Sequence, residues 1–198
     1  MNHSAQLSEE VQAARVPEHE ISPLVLNRWS PRSFLDRDIP EEDLLALFEA
    51  ARWAPSASNE QSWRFILARK PEHRATFYEF INPSNRVWCE KAPALALVLS
   101  KKTNAQGQVH AHHAFDTGTA TGLLALEATR RGLSTHSMGG FDRDKARSIL
   151  GIFDDYELHS VIAIGYRGPK DALPEALQAR EQPSTRRPLS DILFEGNM

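Results

Sequence analysis

The feature that most constrains how this chain folds is a continuous apolar run near its centre. Residues 94–100 read ALALVLS, without the alternation of polar and apolar positions that a half-exposed strand shows. We therefore predict a strand that is buried on both faces. Two further strands are predicted at residues 64–68 (RFILA) and 160–166 (SVIAIGY).

The clearest predicted helix spans residues 40–54. Leu44, Leu47, Phe48 and Ala51 recur there at three- and four-residue spacing and give one apolar face. Acidic residues in the first turn complement the positive end of the helix dipole, and a proline ends the helix. Because its polar face is acidic rather than basic, this helix is predicted to pack in the core and not to bind a membrane.

Five further helices are predicted, and they are interleaved with the strands. They span residues 6–16, 21–29, 71–80, 110–131 and 142–150. Gly132 stands where a left-handed cap would close the long helix, while Asp142 is the predicted N-cap of the last helix and Gly151 follows its end. Since helices outnumber strands, the residues alone predict an α+β or α/β fold with one small sheet.

Composition restricts the class of protein further. The 198 residues include 23 basic and 26 acidic side chains, a formal net charge of −3, which argues against a general nucleic-acid binder. The single cysteine, Cys89, excludes an internal disulfide and fits a reducing compartment. The apolar run at 92–99 is far too short to cross a bilayer, and the start of the chain lacks the pattern of a secretory signal. We expect a cytoplasmic protein without nucleic-acid or membrane partners.

The chain is expected to form one domain over residues 1–198, because no repeat or low-complexity tract divides it. Residues 1–20 would then be an N-terminal extension. Residues 168–198, which contain four prolines, would be a C-terminal arm that runs over the surface.

The predicted long helix contains an unusual run of small residues. Gly118 and Gly122 flank Ala120, and each glycine costs roughly 1 kcal/mol of helix stability relative to alanine. Small residues at this spacing let a partner helix or a flat ligand approach closely. Packing against another helix of the same chain is the simpler explanation and the favoured one.

Two arginines flank a hydroxyl in the sequence RWSPR. Arg28, Ser30 and Arg32 can converge on one anion if the segment turns, and arginine binds phosphate bidentately with a permanent charge. Two isolated arginines can equally be solvated charges at the end of a helix. The residues alone favour neither the anion site nor the solvated charges.

A second candidate segment, residues 54–63 (APSASNEQSW), joins a predicted helix to a predicted strand. Ser56, Ser58, Asn59 and Gln61 supply hydrogen-bond donors and acceptors, and Trp63 follows them. Amide side chains match a heterocycle that offers carbonyls and ring nitrogens. Loops held between rigid elements commonly carry function, so this is a candidate binding loop.

A third candidate segment, residues 132–142 (GLSTHSMGGFD), lies between two predicted helices. Gly139 and Gly140 have no side chains, so their backbone N–H groups can approach a ligand. Two consecutive glycines before a helix also make an ordinary turn, and on the residues alone the structural interpretation is favoured.

Taken in order along the chain, these segments resemble the nitroreductase family of FMN-dependent flavoproteins. The matching stretches are RWSPRSF, APSASNEQSW, DTGTA with LLALE, SMGGFD and TRRPL, and they extend over residues 24–193. The APS-x-x-N-x-Q-x-W loop is the most specific of them. The resemblance implies a nitroreductase-like α+β fold, with a small mixed or antiparallel central sheet flanked by helices, assembled as an intertwined homodimer.

The resemblance also implies that FMN lies between two subunits. Arginines would bind its phosphate, the 54–63 loop of the neighbouring subunit would line its ring, and backbone N–H groups of Gly139 and Gly140 would face the flavin N5 edge. Asn85 falls where the family often places an amide against the pyrimidine side of the ring. The implied cofactor contacts are Arg28, Trp29, Ser30, Arg32, Pro55, Ser56, Ala57, Asn59, Gln61, Asn85, Ser137, Met138, Gly139, Gly140 and either Arg186 or Arg187.

The activity implied by the resemblance is a ping-pong transfer of two electrons. NADH or NADPH would give a hydride to the flavin, and a nitroaromatic, quinone or related small molecule would then accept the electrons. Trp88 and Phe115 are candidate aromatic walls for the substrate, although a core role is favoured for both. Two alternatives remain open: a flavin-binding protein without reductase turnover, such as a sensor or a flavin-fragmenting relative, and a cofactor-free dimeric interaction module.

Other kinds of site are disfavoured by the sequence. His110, His112 and His113 form no metal-binding motif, so we expect surface histidines and no metal. Cys89 follows Trp88 in an apolar context, where a thiol stays protonated and inert. The chain also lacks a G-x-S-x-G elbow and the lysine of a phosphate-binding loop.

Overall fold

The computed structural model describes residues 6–198 and places a four-stranded sheet at their centre. The strands are β1 (Trp63–Ala68), β2 (Ala94–Lys101), β3 (Ser134–Met138) and β4 (Tyr156–Gly165). Their order is β1-β2-β4-β3, and each neighbouring pair is antiparallel. The α+β class is therefore confirmed, with an antiparallel rather than a mixed sheet.

Helices cover both faces of this sheet. They are α1 (Glu9–Ala14), α2 (Pro23–Asn27), α3 (Glu41–Arg52), α4 (Pro71–Tyr78), α5 (Pro83–Cys89), α6 (His113–Arg130), α7 (Arg143–Leu150) and α8 (Glu175–Gln178). Short 3-10 turns occur at Ala57–Asn59, Lys170–Ala172 and Leu189–Asp191. The six predicted helices are all present, and α1 and α2 are shorter than predicted.

Strand β2 is buried on both faces, as its apolar run predicts. Leu95, Leu97 and Leu99 point into a core cluster shared with α4, α5 and α7. The intervening residues Ala96 and Val98 belong to a second cluster, shared with α3 and α6. The sheet thus separates two apolar cores, and α6 packs on the face opposite to α5.

The predicted helix signals are also confirmed. The Asp142 carboxylate caps α7 by accepting a hydrogen bond from the Lys145 amide at 2.9 Å. Gly151 ends that helix with a positive φ of 63°, and Gly132 follows α6 with a φ of 73°, a conformation that glycine adopts without steric cost.

Three helices or strands were not predicted from the sequence, one of them the four-residue helix α8 in the C-terminal arm. Helix α5 has only seven residues and shows no extended apolar periodicity, and it is held by the burial of Trp88 and Cys89. Strand β3 reads STHSM, which is polar for a strand, and it lies at the edge of the sheet beside the apolar β4. The interpretation of residues 132–142 as a loop was therefore wrong for the part that pairs with β4.

The C-terminal arm follows the surface except at a few anchored positions. Residues 184–198 are almost entirely exposed, whereas Leu173 and Glu181 are buried. Within residues 6–198, none of the helices combines the length and the apolar character that crossing a membrane requires.

Candidate functional site

Residues 28–32 follow α2 as an extended segment that is held from the C-terminal arm. The carboxylate of Glu181 accepts hydrogen bonds from the backbone amides of Arg32, at 2.9 and 3.0 Å, and of Ser33, at 3.0 Å. Glu181 is only 3% exposed. A buried carboxylate needs such donors, so these bonds fix the backbone of this segment relative to the arm.

Three arginines from separate parts of the chain lie close together at the start of this segment. Burial and the neighbouring charges of Arg186 and Arg28 lower the pKa of Arg15. Burial and the charge of Arg186 likewise lower the pKa of Arg28. The guanidiniums therefore repel one another, and an anion between them would relieve the repulsion.

Arg15 also joins the three chain segments that form this cluster. Its Nη1 donates to the carbonyls of Leu26 and Arg28, at 2.5 and 2.9 Å, and its Nε donates to the Ser184 carbonyl at 3.0 Å. Its Nη2 is buried and has no hydrogen-bond partner among the described residues. A buried donor of this kind calls for a partner, and a phosphate oxygen would supply one.

A cleft with a volume of about 670 Å³ opens beside these arginines. Arg28, Arg186 and Arg187 line it together with Glu18 and with apolar residues of the N-terminal region and the arm, including Ile21, Val25 and Ile192. Both tail arginines thus reach the cleft, but Arg186 is the one whose charge acts on Arg15 and Arg28.

The other predicted residues of the 28–32 segment have different surroundings. Arg32 is influenced by Arg180 and Glu181 rather than by Arg28, and burial lowers its pKa most. Ser30 is exposed. The Trp29 ring is buried and covered by the guanidinium of Arg167 at 4.7 Å from the ring centroid, so it serves packing.

Strand β3 lies against the same segment. The Nδ1 of His136 donates to the Pro31 carbonyl at 3.0 Å, and its ring lies 4.5 Å from the centroid of Trp88. Burial lowers the pKa of His136. The imidazole therefore joins the arginine-rich segment to β3, which leads directly into the glycine turn.

The turn at Gly139 and Gly140 lies against Asn85. The Asn85 side-chain amide donates to the Gly140 carbonyl at 3.1 Å, and the Asn82 backbone amide donates to the same carbonyl at 3.1 Å. A side chain on Gly140 would lie 2.8 Å from Asn85 Nδ2, whereas a Cβ at Gly139 would meet nothing within 4 Å. The Gly139 backbone is open to a ligand.

The loop at 55–62 lies against the first turn of α6. The Asp116 carboxylate accepts from the Ala57 amide at 3.1 Å, and the Ser62 hydroxyl donates to the His113 carbonyl at 3.2 Å. Ser58, Asn59 and Gln61 all have positive φ, between 49° and 57°, which costs a non-glycine residue roughly 1–2 kcal/mol. Among the described residues, no hydrogen bond joins this loop to residues 28–32 or 137–140.

The remaining predicted contacts differ in their exposure. Pro55, Asn59, Gln61 and Ser137 are exposed, and Ser56 and Ala57 are half-buried. The Met138 side chain is in the core, so only its backbone can face a ligand.

The two candidate substrate aromatics have opposite environments. Trp88 is 2% exposed and stacks with Phe34 in the core. Its proposed role as a substrate wall is therefore wrong for this chain, and the core role holds. Phe115 is 78% exposed at the start of α6, so the favoured core role is wrong for this residue, and its ring can contact a ligand or another subunit.

The histidines require a correction, while the cysteine does not. His110 is 7% exposed and its Nε2 lies 3.2 Å from the Asp116 carboxylate, so it is not a surface residue. His113 bonds the buried Ser100 hydroxyl at 2.7 Å. No group of residues in the described part could hold a metal ion. Burial raises the pKa of the Cys89 thiol to about 12, which keeps the thiol protonated at neutral pH.

Sequence reasoning missed four residues that shape this site: Arg15, Asp116, His136 and Glu181. Each acts through partners distant in sequence, so no local motif marks it. Asp116 lies within the DTGTA motif and His136 within the 132–142 segment, but nothing in the sequence indicated what they bind.

The residues present fit a phosphate-bearing planar cofactor such as FMN. The arginine cluster has a buried donor without a partner among the described residues, which suits a phosphate. A Cβ on Gly139 would meet nothing within 4 Å, so there is open space beside this residue, which suits a flat ring. Arg28, Arg186 and the 28–32 backbone would hold the phosphate end, and the 139–140 turn with Asn85 would face the ring.

Comparison with known proteins agrees with this geometry. The family model described as "Nitroreductase family" matches residues 25–87 and 82–166. A provisionally named NADH dehydrogenase/NAD(P)H nitroreductase of Archaeoglobus fulgidus is 30% identical over 152 residues, which cover 75% of this chain and 84% of that protein. An NADH dehydrogenase of Thermus thermophilus is 27% identical over 186 residues, covering 77% and 89%.

A solved structure extends the similarity to the fold. A protein described as an oxidoreductase containing FMN superimposes with a TM-score of 0.89 at 40% identity, covering 92% of this chain and 95% of that one. The family match spans well over half of the chain, and it includes the arginine segment, the 55–62 loop and the glycine turn. This chain belongs to the nitroreductase family.

Proposed function

We propose that this protein is an FMN-dependent oxidoreductase that moves two electrons from NADH or NADPH to nitroaromatic, quinone or related small-molecule acceptors. The observation that carries the proposal is the cluster of Arg15, Arg28 and Arg186 beside a cleft, where the buried Nη2 of Arg15 has no hydrogen-bond partner among the described residues. The names of its relatives, an NADH dehydrogenase and an oxidoreductase containing FMN, agree with it.

The proposed cofactor site runs from this cluster to the glycine turn. Bound FMN would supply a ring that accepts and releases two electrons. The guanidiniums would neutralise the phosphate, which is costly to bury uncompensated. N–H groups of Gly139 and Gly140 would donate to the ring where negative charge develops on reduction, and the Asn85 amide would contact the polar end of the ring.

The second half of the site is proposed to come from another subunit. The 55–62 loop bonds to α6 and not to residues 28–32 or 137–140 of its own chain in the described region. Supporting a homodimer, Gly118 and Gly122 of α6 have nothing within 4 Å of their Cβ positions, while Phe115 on the same helix is exposed. The prediction that these two glycines pack against another helix of the same chain is therefore wrong. Close approach by a second copy of the chain fits their open surroundings better.

The phosphate assignment can be tested by comparing FMN with riboflavin, which lacks the phosphate. The apoprotein should bind FMN at least about 100-fold more tightly, since several charge-assisted hydrogen bonds depend on that group. Arg28→Ala and Arg186→Ala should each reduce this preference by about 10-fold or more. Arg187→Ala is the matched control and should leave it largely intact, because Arg187 is not coupled to the cluster.

Fluorescence titration of each protein with both flavins would measure these affinities. Equal affinities of the wild-type protein for FMN and riboflavin would contradict the phosphate assignment. Flavin binding without oxidation of NADH or NADPH would instead favour a flavoprotein without reductase turnover.

A further inference from the structure

The 55–62 loop holds an unusual backbone conformation that needs external support. Three non-glycine residues within four positions, Ser58, Asn59 and Gln61, have positive φ. Such conformations persist only where surrounding contacts impose them. Within the loop, the Ser56 hydroxyl accepts from the Gln61 amide at 3.1 Å, which closes the turn but does not orient it.

The contact that orients the start of this loop is made by Asp116. Its Oδ2 accepts from the Ala57 amide at 3.1 Å and lies 3.2 Å from His110 Nε2. Asp116 is 4% exposed. Of its two partners, Ala57 belongs to the loop and His110 to the segment just before α6. The carboxylate therefore connects the loop, the buried imidazole and the first turn of α6.

The position of Asp116 on α6 links this loop to the surface proposed for the second subunit. Asp116 points inward, while Phe115 and Gly118 beside it are exposed. A second copy would therefore dock on the face of α6 that carries Phe115 and Gly118, while the inward face of the same helix holds the 55–62 loop through Asp116. Ser62, which donates to the His113 carbonyl one turn away, fixes the other end of the loop on the same helix.

We propose that Asp116 is a positioning residue that presets the 55–62 loop for contact with the flavin ring bound in the partner subunit. This inference rests on the proposed function, because the ring contact belongs to it. Asp116 itself touches no ligand. It acts through the Ala57 amide, and His110 compensates the cost of burying its carboxylate.

The proposal predicts a distinctive pattern of flavin affinities. Asp116→Ala should lower the affinity for FMN and for riboflavin by the same factor, about 10-fold, because a ring contact is lost and the phosphate contacts are kept. Asp116→Asn keeps an oxygen that can accept from Ala57, and it should restore affinity to within about threefold of wild type. Glu127→Ala, which removes a carboxylate from the same helix away from the loop, is the matched control.

A second variant reaches the same hydrogen bond from the loop side. Ala57→Pro removes the N–H donor and leaves α6 unchanged, and proline suits the first position of a helical turn. Ala57→Pro should lower both flavin affinities by the same factor as Asp116→Ala. The double variant should bind the flavins no more weakly than either single variant. Ala57→Pro carries the test if Asp116→Ala does not fold.

Fluorescence titration of the full-length apoproteins with FMN and riboflavin, well below their melting temperatures, measures the outcome. Hydrogen exchange should show faster exchange within residues 55–62 in both loop-releasing variants. Unchanged affinity for both flavins in Asp116→Ala or Ala57→Pro would overturn the inference and leave the proposed function standing. Failure of the wild-type protein to bind either flavin would overturn the proposed function instead.

Discussion

The carboxylate of Glu181 accepts hydrogen bonds from the backbone amides of Arg32 and Ser33, at distances of 2.9 to 3.0 Å. These partners lie almost 150 residues apart in the chain. The contact fastens the C-terminal arm to the segment that contains Arg28 and Arg32, and Arg186 lies a few residues further along the same arm. It thereby brings the proposed phosphate ligands together before any ligand binds.

Replacing Glu181 should destabilise the protein. Glu181→Ala leaves two buried N–H groups without acceptors, and we expect the free energy of unfolding to fall by about 1–3 kcal/mol. Glu175→Ala, on the exposed surface of α8, is the control and should change it by less than about 0.5 kcal/mol. Urea unfolding measures both, and equal stability of the two variants would show that the Glu181 contact contributes nothing.

The sequence predicted the centre of this fold better than its edges. The run at 94–100 favoured a strand covered on both faces, and residues 40–54 favoured a helix with one apolar face, because their own residue patterns indicate which positions are buried. Strand β3 carries no such pattern, and it forms because β4 offers it an edge. Its polar residues alone favour a loop.

The candidate site divides in the same way. Local composition marks three parts of the site: the two arginines around a hydroxyl at 28–32, the donor- and acceptor-rich loop at 54–63, and the consecutive glycines Gly139 and Gly140. Arg15, Asp116 and Glu181 are ordinary charged residues, and their roles come from tertiary contacts over long separations in the chain. Sequence reasoning has no access to those contacts.

The two glycines of the turn should respond differently to alanine. A Cβ on Gly140 would lie 2.8 Å from Asn85 Nδ2 and 3.2 Å from Asn82 Nδ2, whereas Gly139 has open space. Gly140→Ala should therefore lower the free energy of unfolding by about 1–3 kcal/mol, and Gly139→Ala by less than about 0.5 kcal/mol.

A double-mutant cycle tests the cause of this difference. Adding Asn85→Ala to Gly140→Ala removes the nearest clashing atom, so the combined loss should be smaller than the sum of the two single losses. Strict additivity in urea unfolding would mean that the Gly140 requirement comes from something other than Asn85.

Stability should decline in mildly acidic solution because of two histidines. Burial lowers the pKa of His136 and of His159 in the folded protein. Between each lowered pKa and the unfolded value of about 6.5, the unfolded chain binds more protons, so stability rises with pH there. The stabilisation from the two neutral histidines is complete above about pH 6.5 and is lost as the pH falls toward their pKa values in the folded protein.

Urea midpoints at about pH 7.5 and pH 5.5 would measure this effect. His136→Gln and His159→Gln should each make the midpoint less dependent on pH. His73→Gln, at an exposed position of α4, is the control and should not. A wild-type midpoint that rises on acidification would contradict the prediction.

The exposed glycine face of α6 should control assembly. Gly122→Arg places a long cation where the described chain has no neighbour, so the protomer should still fold. If a second copy packs there, the substitution should shift the protein from dimer to monomer. Ala75→Arg on the exposed face of α4 is the control. Light scattering after gel filtration gives the mass, and a Gly122→Arg dimer of wild-type stability would place the interface elsewhere.

The most direct test of the account is the visible absorption spectrum of the natively purified protein, recorded without oxygen before and after adding NADH or NADPH. We expect the bands of oxidised flavin, their bleaching by at least one of the two donors, and their return when a quinone or nitroaromatic is added. Colourless protein that takes up no added FMN would contradict the account.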